Sequence, residues 1–163
     1  VASSMADAKA VDAQMGSEKA MSAVAAGLAG ANMIYESSGM TASLLGVSFE
    51  AFVLDNEMLS HVNRMIRGVE VNEETLGFEA IKAVVTGEGH FLGSDHTMAA
   101  MQRDYFYPTL ADRNDPASWA ELGAPDAWSM AKTKAIEILQ SHNPEYLSQD
   151  ADRAIRERFN ILM

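Results

Sequence analysis

The chain has 163 residues, 48% of them hydrophobic, with 12 Lys and Arg against 23 Asp and Glu and a net charge of −11 with the histidines neutral. That apolar content can bury a core, so one domain, or part of a larger one, is expected rather than disorder. The acid excess argues against a grip on nucleic acid or an anionic membrane, since both need concentrated Lys and Arg, and the absence of cysteine excludes disulfides and thiolate metal sites.

A cysteine-free chain suits a reducing compartment, and the cytoplasm is expected. No apolar run of about 18 residues occurs. The N-terminus, VASSMADAKA, lacks the basic and apolar pattern of an export signal. The chain opens on Val1 in what reads as a strand or loop, as expected of the tail of a longer product.

A first possible strand precedes Asp7. Asp12 to Gly30 carries Ala20, Met21, Val24 and Leu28 at helical spacing among many alanines, which predicts a thinly coated helix packed close to a neighbour. Ala31 to Tyr35 reads as a buried strand emptying into the polar residues 36–39. Ser48 is a plausible N-cap for a helix reaching Gly68, with Phe52, Val53, Met58, Leu59, Val62, Met65 and Ile66 as its apolar stripe. Asn72 is expected to cap one helix over Glu73 to Val85, and Gly87, Gly89 and Gly93 then mark a loop around His90. Ser94 or Asp95 begins a helix that Pro108 ends. A polar excursion over Thr109 to Pro125 holds one short helix near Pro116 to Leu122. Asp126 to Gln140 is an amphipathic helix, and Pro144 to Phe159 a last, charged one.

The pattern is thus two strands near the N-terminus and at least five helices, with no strand signal after Val71. Read as βαβα, each unit takes roughly 30 residues, one step of a (β/α)8 barrel. The expected fold class is α/β: the C-terminal part of a TIM barrel, α-rich, with residues 1–110 as closing βα units of an incomplete barrel and 111–163 as a helical C-terminal extension. No P-loop, dinucleotide fingerprint or nucleophile elbow occurs. His61, His96 and His142 lack HxH or HxxxH spacing, so no metal site is expected.

Six segments, SSMADAKAVDAQMGSEKA (3–20), AGLAGANMIYESSGM (26–40), SFEAFVLDNEML (48–59), RGVEVNEETL (67–76), GEGHFLG (87–93) and YPTLADR (107–113), together resemble the C-terminal part of the trimethylamine:corrinoid protein methyltransferase family. The resemblance spans nearly the whole chain, in order. It implies a barrel enzyme of methylamine metabolism and methanogenesis that moves a methyl group from a methylated amine to the Co(I) of a corrinoid carried by a partner protein. It also implies a parent much longer than this chain, with pyrrolysine upstream in some members and quaternary amines such as glycine betaine as substrates of others. Homo-oligomerisation of the parent is expected, and an isolated piece is expected to be inactive and to expose sheet edges and apolar faces.

Barrels place functional groups at the C-terminal ends of strands, which selects three regions. Glu36, after the strand at 31–35, and His90, in the glycine loop, are the catalytic candidates. Asp7, Asp12 and Gln14 are the substrate-binding candidates. Asp12 and Glu36 can wall an alkylammonium, Gln14 can orient it, and His90 can donate to a substrate carboxylate or a corrinoid amide. Each also has a plainer reading: Asp12 as a helix cap, Glu36 as a loop ion pair, His90 as a turn residue. Asp55, Glu57 and Glu74 are expected on solvated helix faces, Tyr35 in the core, and most of the eleven methionines on core stripes. The competing function is a non-catalytic helical module that docks a corrinoid protein.

Overall fold

A computed structural model describes residues 1–142 and 144–161. Its first helix, α1 (Ala13–Leu28), starts where the Asp12 carboxylate accepts the Met15 N–H. Its buried residues are Met15, Lys19, Ala23 and Gly27, each four after the last, which aligns them as one stripe. On either side of α1 the chain pairs in parallel: Val1 donates to the Met33 carbonyl at 2.8 Å and accepts the Tyr35 N–H at 3.1 Å. Ala2 and Tyr35 form the bridge. This is a minimal strand–helix–strand crossover.

The expected buried strand at 31–35 is therefore reduced to one isolated bridge, with Met33 70% and Tyr35 48% exposed. Tyr35 is therefore not core. A short antiparallel hairpin, β1 (Met40–Thr41) and β2 (Gly46–Val47), follows. It was not anticipated, being built on three successive left-handed residues, Ala42, Ser43 and Leu44, for which alanine and leucine give no signal. The turn is pinned from outside, by Ala42 and Ser43 N–H bonds to the Ala8 and Ala6 carbonyls.

The longest helix, α2 (Phe49–Arg67), is capped by Ser48 as expected. The region 73–85 is two helices rather than one: α3 (Glu73–Leu76) and α4 (Phe78–Thr86) meet at Gly77, which takes φ 65° and interrupts the ladder. α5 (Asp95–Asp104) is capped by Ser94, α6 (Pro116–Glu121) by Asp115 and α7 (Ala127–Ser141) by Asp126. The last helix, α8 (Gln149–Arg158), is shorter than the expected 144–159, because Ser148 rather than Pro144 supplies its cap.

Packing centres on α2, which lies between α1 and α7. Close approach is set by small residues: a Cβ on Gly27 would stand 2.3 Å from Ile66 Cδ1, and Ala131 and Ala135 are the buried positions of α7. Ala6, Ala8, Met15 and Ala51 form the hydrophobic cluster. Most methionines are not core: among the described ones only Met15 is buried, Met98 and Met101 lying on α5, which has no buried residue, and Met163 lies outside the described residues. No helix among the described residues is long and apolar enough to cross a membrane.

Candidate functional site

Glu36 follows directly on the second strand of the parallel pair, at its C-terminal end. Its side chain is exposed and its backbone is left-handed, φ 62°, a conformation that glutamate adopts only under external constraint. The constraint is visible on both sides. Tyr35 is held by the parallel pairing, and Gly39 donates its N–H to Asp55 Oδ2 at 2.7 Å.

Asp55 belongs to a buried ion pair that sequence reasoning missed. Lys19 Nζ lies 2.8 Å from Asp55 Oδ2, and both side chains are almost wholly inaccessible. Burial pushes the Asp55 carboxyl up, opposed by the Lys19 ammonium and the Gly39 N–H. The expectation of a solvated face for Asp55 is thus overturned: Ala51, Asp55 and Val62 share one stripe of α2, and that stripe faces α1 and α7. A lysine and an aspartate at stripe positions were the available signal.

Glu57 is also buried rather than solvated, and it accepts the backbone N–H groups of Thr109, Leu110 and Ala111. Burial raises its pKa, but these three donors with the Thr109 hydroxyl outweigh burial and hold it below the ordinary value. Glu74 is exposed as expected, paired with Arg103.

The other candidates divide. Asp12 caps α1 and also lines a cavity of about 450 Å³ between α1, α2 and the start of α7, with Lys19, Asp55, Asp126 and Trp128. Asp7 and Gln14 meet at Glu18, whose carboxylate takes the Gln14 amide at 2.8 Å and the Asp7 and Ala8 N–H groups at 2.8 and 3.2 Å. The Gln14 amide first, then those N–H groups, keep Glu18 below the usual carboxylate range. The Asp7 carboxylate itself accepts the Ser43 hydroxyl, tying the left-handed turn to this loop. His90 stands apart and exposed, 3.7 Å from Glu88 in the loop after α4. Among the described residues no three His, Asp or Glu are arranged to hold a metal.

Chemically, this arrangement presents one fixed, solvent-facing carboxylate at a strand end, backed by a buried charged pair, with a second carboxylate at the head of α1. Carboxylates of this kind attract a cation. Across known proteins, the family described as trimethylamine methyltransferase (MTTB) matches residues 1–160. A trimethylamine methyltransferase of Desulfitobacterium hafniense (strain DSM 10664 / DCB-2) is 36% identical over 158 residues, 96% of this chain and 31% of the relative. One from Methanosarcina barkeri is 37% identical over 151 residues, 92% and 30% of the two chains. A glycine betaine methyltransferase of Desulfitobacterium hafniense (strain Y51) is 31% identical over 150 residues, again 92% of this chain and 31% of the relative. The chain spans about a third of the length of the curated relatives it matches.

Proposed function

Because the chain belongs to the trimethylamine methyltransferase (MTTB) family, we propose that it is the C-terminal portion of a cytoplasmic (β/α)8 enzyme that moves a methyl group from trimethylamine to the Co(I) of a corrinoid carried by a partner protein. The observation that carries this reading is the match over residues 1–160, and the parallel pairing across α1 supports the barrel, since right-handed βαβ units are its repeating step. The corrinoid is a co-substrate in this scheme. Pyrrolysine, where the enzyme uses one, lies outside this chain, and the residues described here bind and orient.

In this scheme the Glu36 carboxylate faces the amine, and Asp12 adds a second negative charge. Asp7 and Gln14 act through the loop they brace around Glu18. His90, on its exposed loop, is assigned to the corrinoid partner. A quaternary ammonium already carries its charge and departs as a neutral amine, so positioning by carboxylates suffices for it. Trimethylamine must be protonated or bound to an electrophile before its nitrogen can depart. The glycine betaine relative makes a quaternary amine the second reading.

The test is methylcobalamin formation, followed by absorbance, with the full-length enzyme, reduced corrinoid protein or free cob(I)alamin, and trimethylamine and glycine betaine offered separately. Turnover with trimethylamine is the expected result. Turnover with betaine alone selects the second reading. Silence with both, joined to tight corrinoid-protein binding, would replace the enzyme by a docking module.

A further inference from the structure

The segment between Tyr35 and Gly39 is anchored at both ends. Tyr35 donates to the Val1 carbonyl at 3.1 Å and accepts the Ser3 N–H at 3.4 Å. Gly39 donates to Asp55 Oδ2 and accepts the Ser48 N–H at 3.1 Å, while the Phe52 ring occupies the space a Cβ would need, 2.4 Å away. Between these anchors Glu36 keeps φ 62°. A strained residue of this kind persists only where its surroundings over-determine it.

The oxygen that anchors Gly39 is the same one that meets Lys19. A buried ion pair is a poor stabiliser, because desolvating two charges offsets most of their attraction. The approach of α1 to α2 is also served by Gly27, against which Ile66 packs. What the pair does uniquely is present a carboxylate oxygen, fixed from α1 and seated on α2, to the backbone of the loop that carries Glu36.

We infer that the Lys19–Asp55 pair is a positioning device for Glu36, holding Gly39 so that the Glu36 carboxylate is set at the strand end before substrate arrives. The inference rests on the reading of Glu36 as the amine-facing carboxylate. Asp55 and Lys19, both almost wholly inaccessible, act through Gly39 and are positioning residues.

Two double variants of the full-length enzyme separate positioning from stability. K19M/D55N removes both charges but keeps an acceptor for the Gly39 N–H; K19M/D55L removes that acceptor as well. In K19M/D55L, backbone hydrogen exchange over residues 36–40 is expected to accelerate about tenfold or more, while K19M/D55N keeps wild-type protection. In parallel, kcat/KM for the amine falls about tenfold or more in K19M/D55L, stays near wild type in K19M/D55N, and in the combination of K19M/D55L with E36Q falls no lower than in E36Q alone. If K19M/D55L does not fold, D55E keeps both charges but displaces the oxygen from Gly39, and it is read in the same direction. Equal exchange in the acceptor-keeping and acceptor-lacking variants, or a loss that adds to that of E36Q, overturns the inference. An enzyme inactive with every amine fails the proposed function instead, and the exchange measurement then decides the positioning by itself.

Discussion

Glu57 and Asp55 lie two residues apart on α2 and respond to pH in opposite senses. Glu57, held below its ordinary 4.5 by its backbone donors, binds fewer protons folded than unfolded. Its contribution is therefore full above pH 4.5 and is lost as pH falls through its folded value. Asp55, pushed above 3.8 by burial, binds protons more tightly when folded, so its contribution declines as pH rises past 3.8. Replacing Glu57 by Gln in the intact protein should cost about 1–3 kcal/mol at neutral pH and flatten the acid limb of a urea-midpoint profile. An unchanged limb would show that Glu57 has no such role. Glu36 offers a contrasting case. Glu36→Gly relieves the left-handed strain and should raise stability by about 1 kcal/mol while lowering methyl transfer. Glu36→Gln should lower transfer with the melting temperature unmoved. A Gln variant with normal transfer and altered melting would make Glu36 structural.

At the scale of elements, the helix starts were legible because capping is local. Ser48, Asn72, Ser94 and Asp126 each accept the backbone N–H that their position predicts. The break at Gly77 and the hairpin at 40–47 were not. In both, a left-handed backbone decides, and at Ala42 to Leu44 it is imposed by hydrogen bonds from residues more than thirty positions away. Gly39 combines a φ of 74° with the Phe52 contact. Gly39→Ala is accordingly expected to lower stability by about 1–3 kcal/mol, read as a fall in the melting temperature. A melting temperature equal to wild type would show that Phe52 swings aside at no cost.

At the scale of the whole molecule, the exposed area is 11917 Å² for 17.6 kDa. A compact monomer of that mass exposes about 7,900 Å². Part of the excess lies on helices that bury no residue: Phe78, Ile81 and Val85 on α4, and Met98 and Met101 on α5, are all more than two-fifths exposed. The isolated 163-residue chain should therefore bind a hydrophobic dye and elute in size-exclusion chromatography well above its mass, despite the charge repulsion of −11. A sharp monomer peak without dye binding would contradict this.

Composition, caps and periodicity by themselves determined the helix-rich class, the order of the main helices and Asp12 as a helix cap, while the family was legible as a resemblance of six segments. These depend on neighbours within a turn or two, where backbone propensity and side-chain periodicity act directly. Only the tertiary structure decided that Lys19 and Asp55 meet, that Glu57 gathers a distant loop, and that Glu36 stands strained between two anchors. The physical reason is that a charged residue on a helix reads as solvated until another element removes the water around it. The partner that does so is 36 positions away for Lys19 and more than 50 for Glu57.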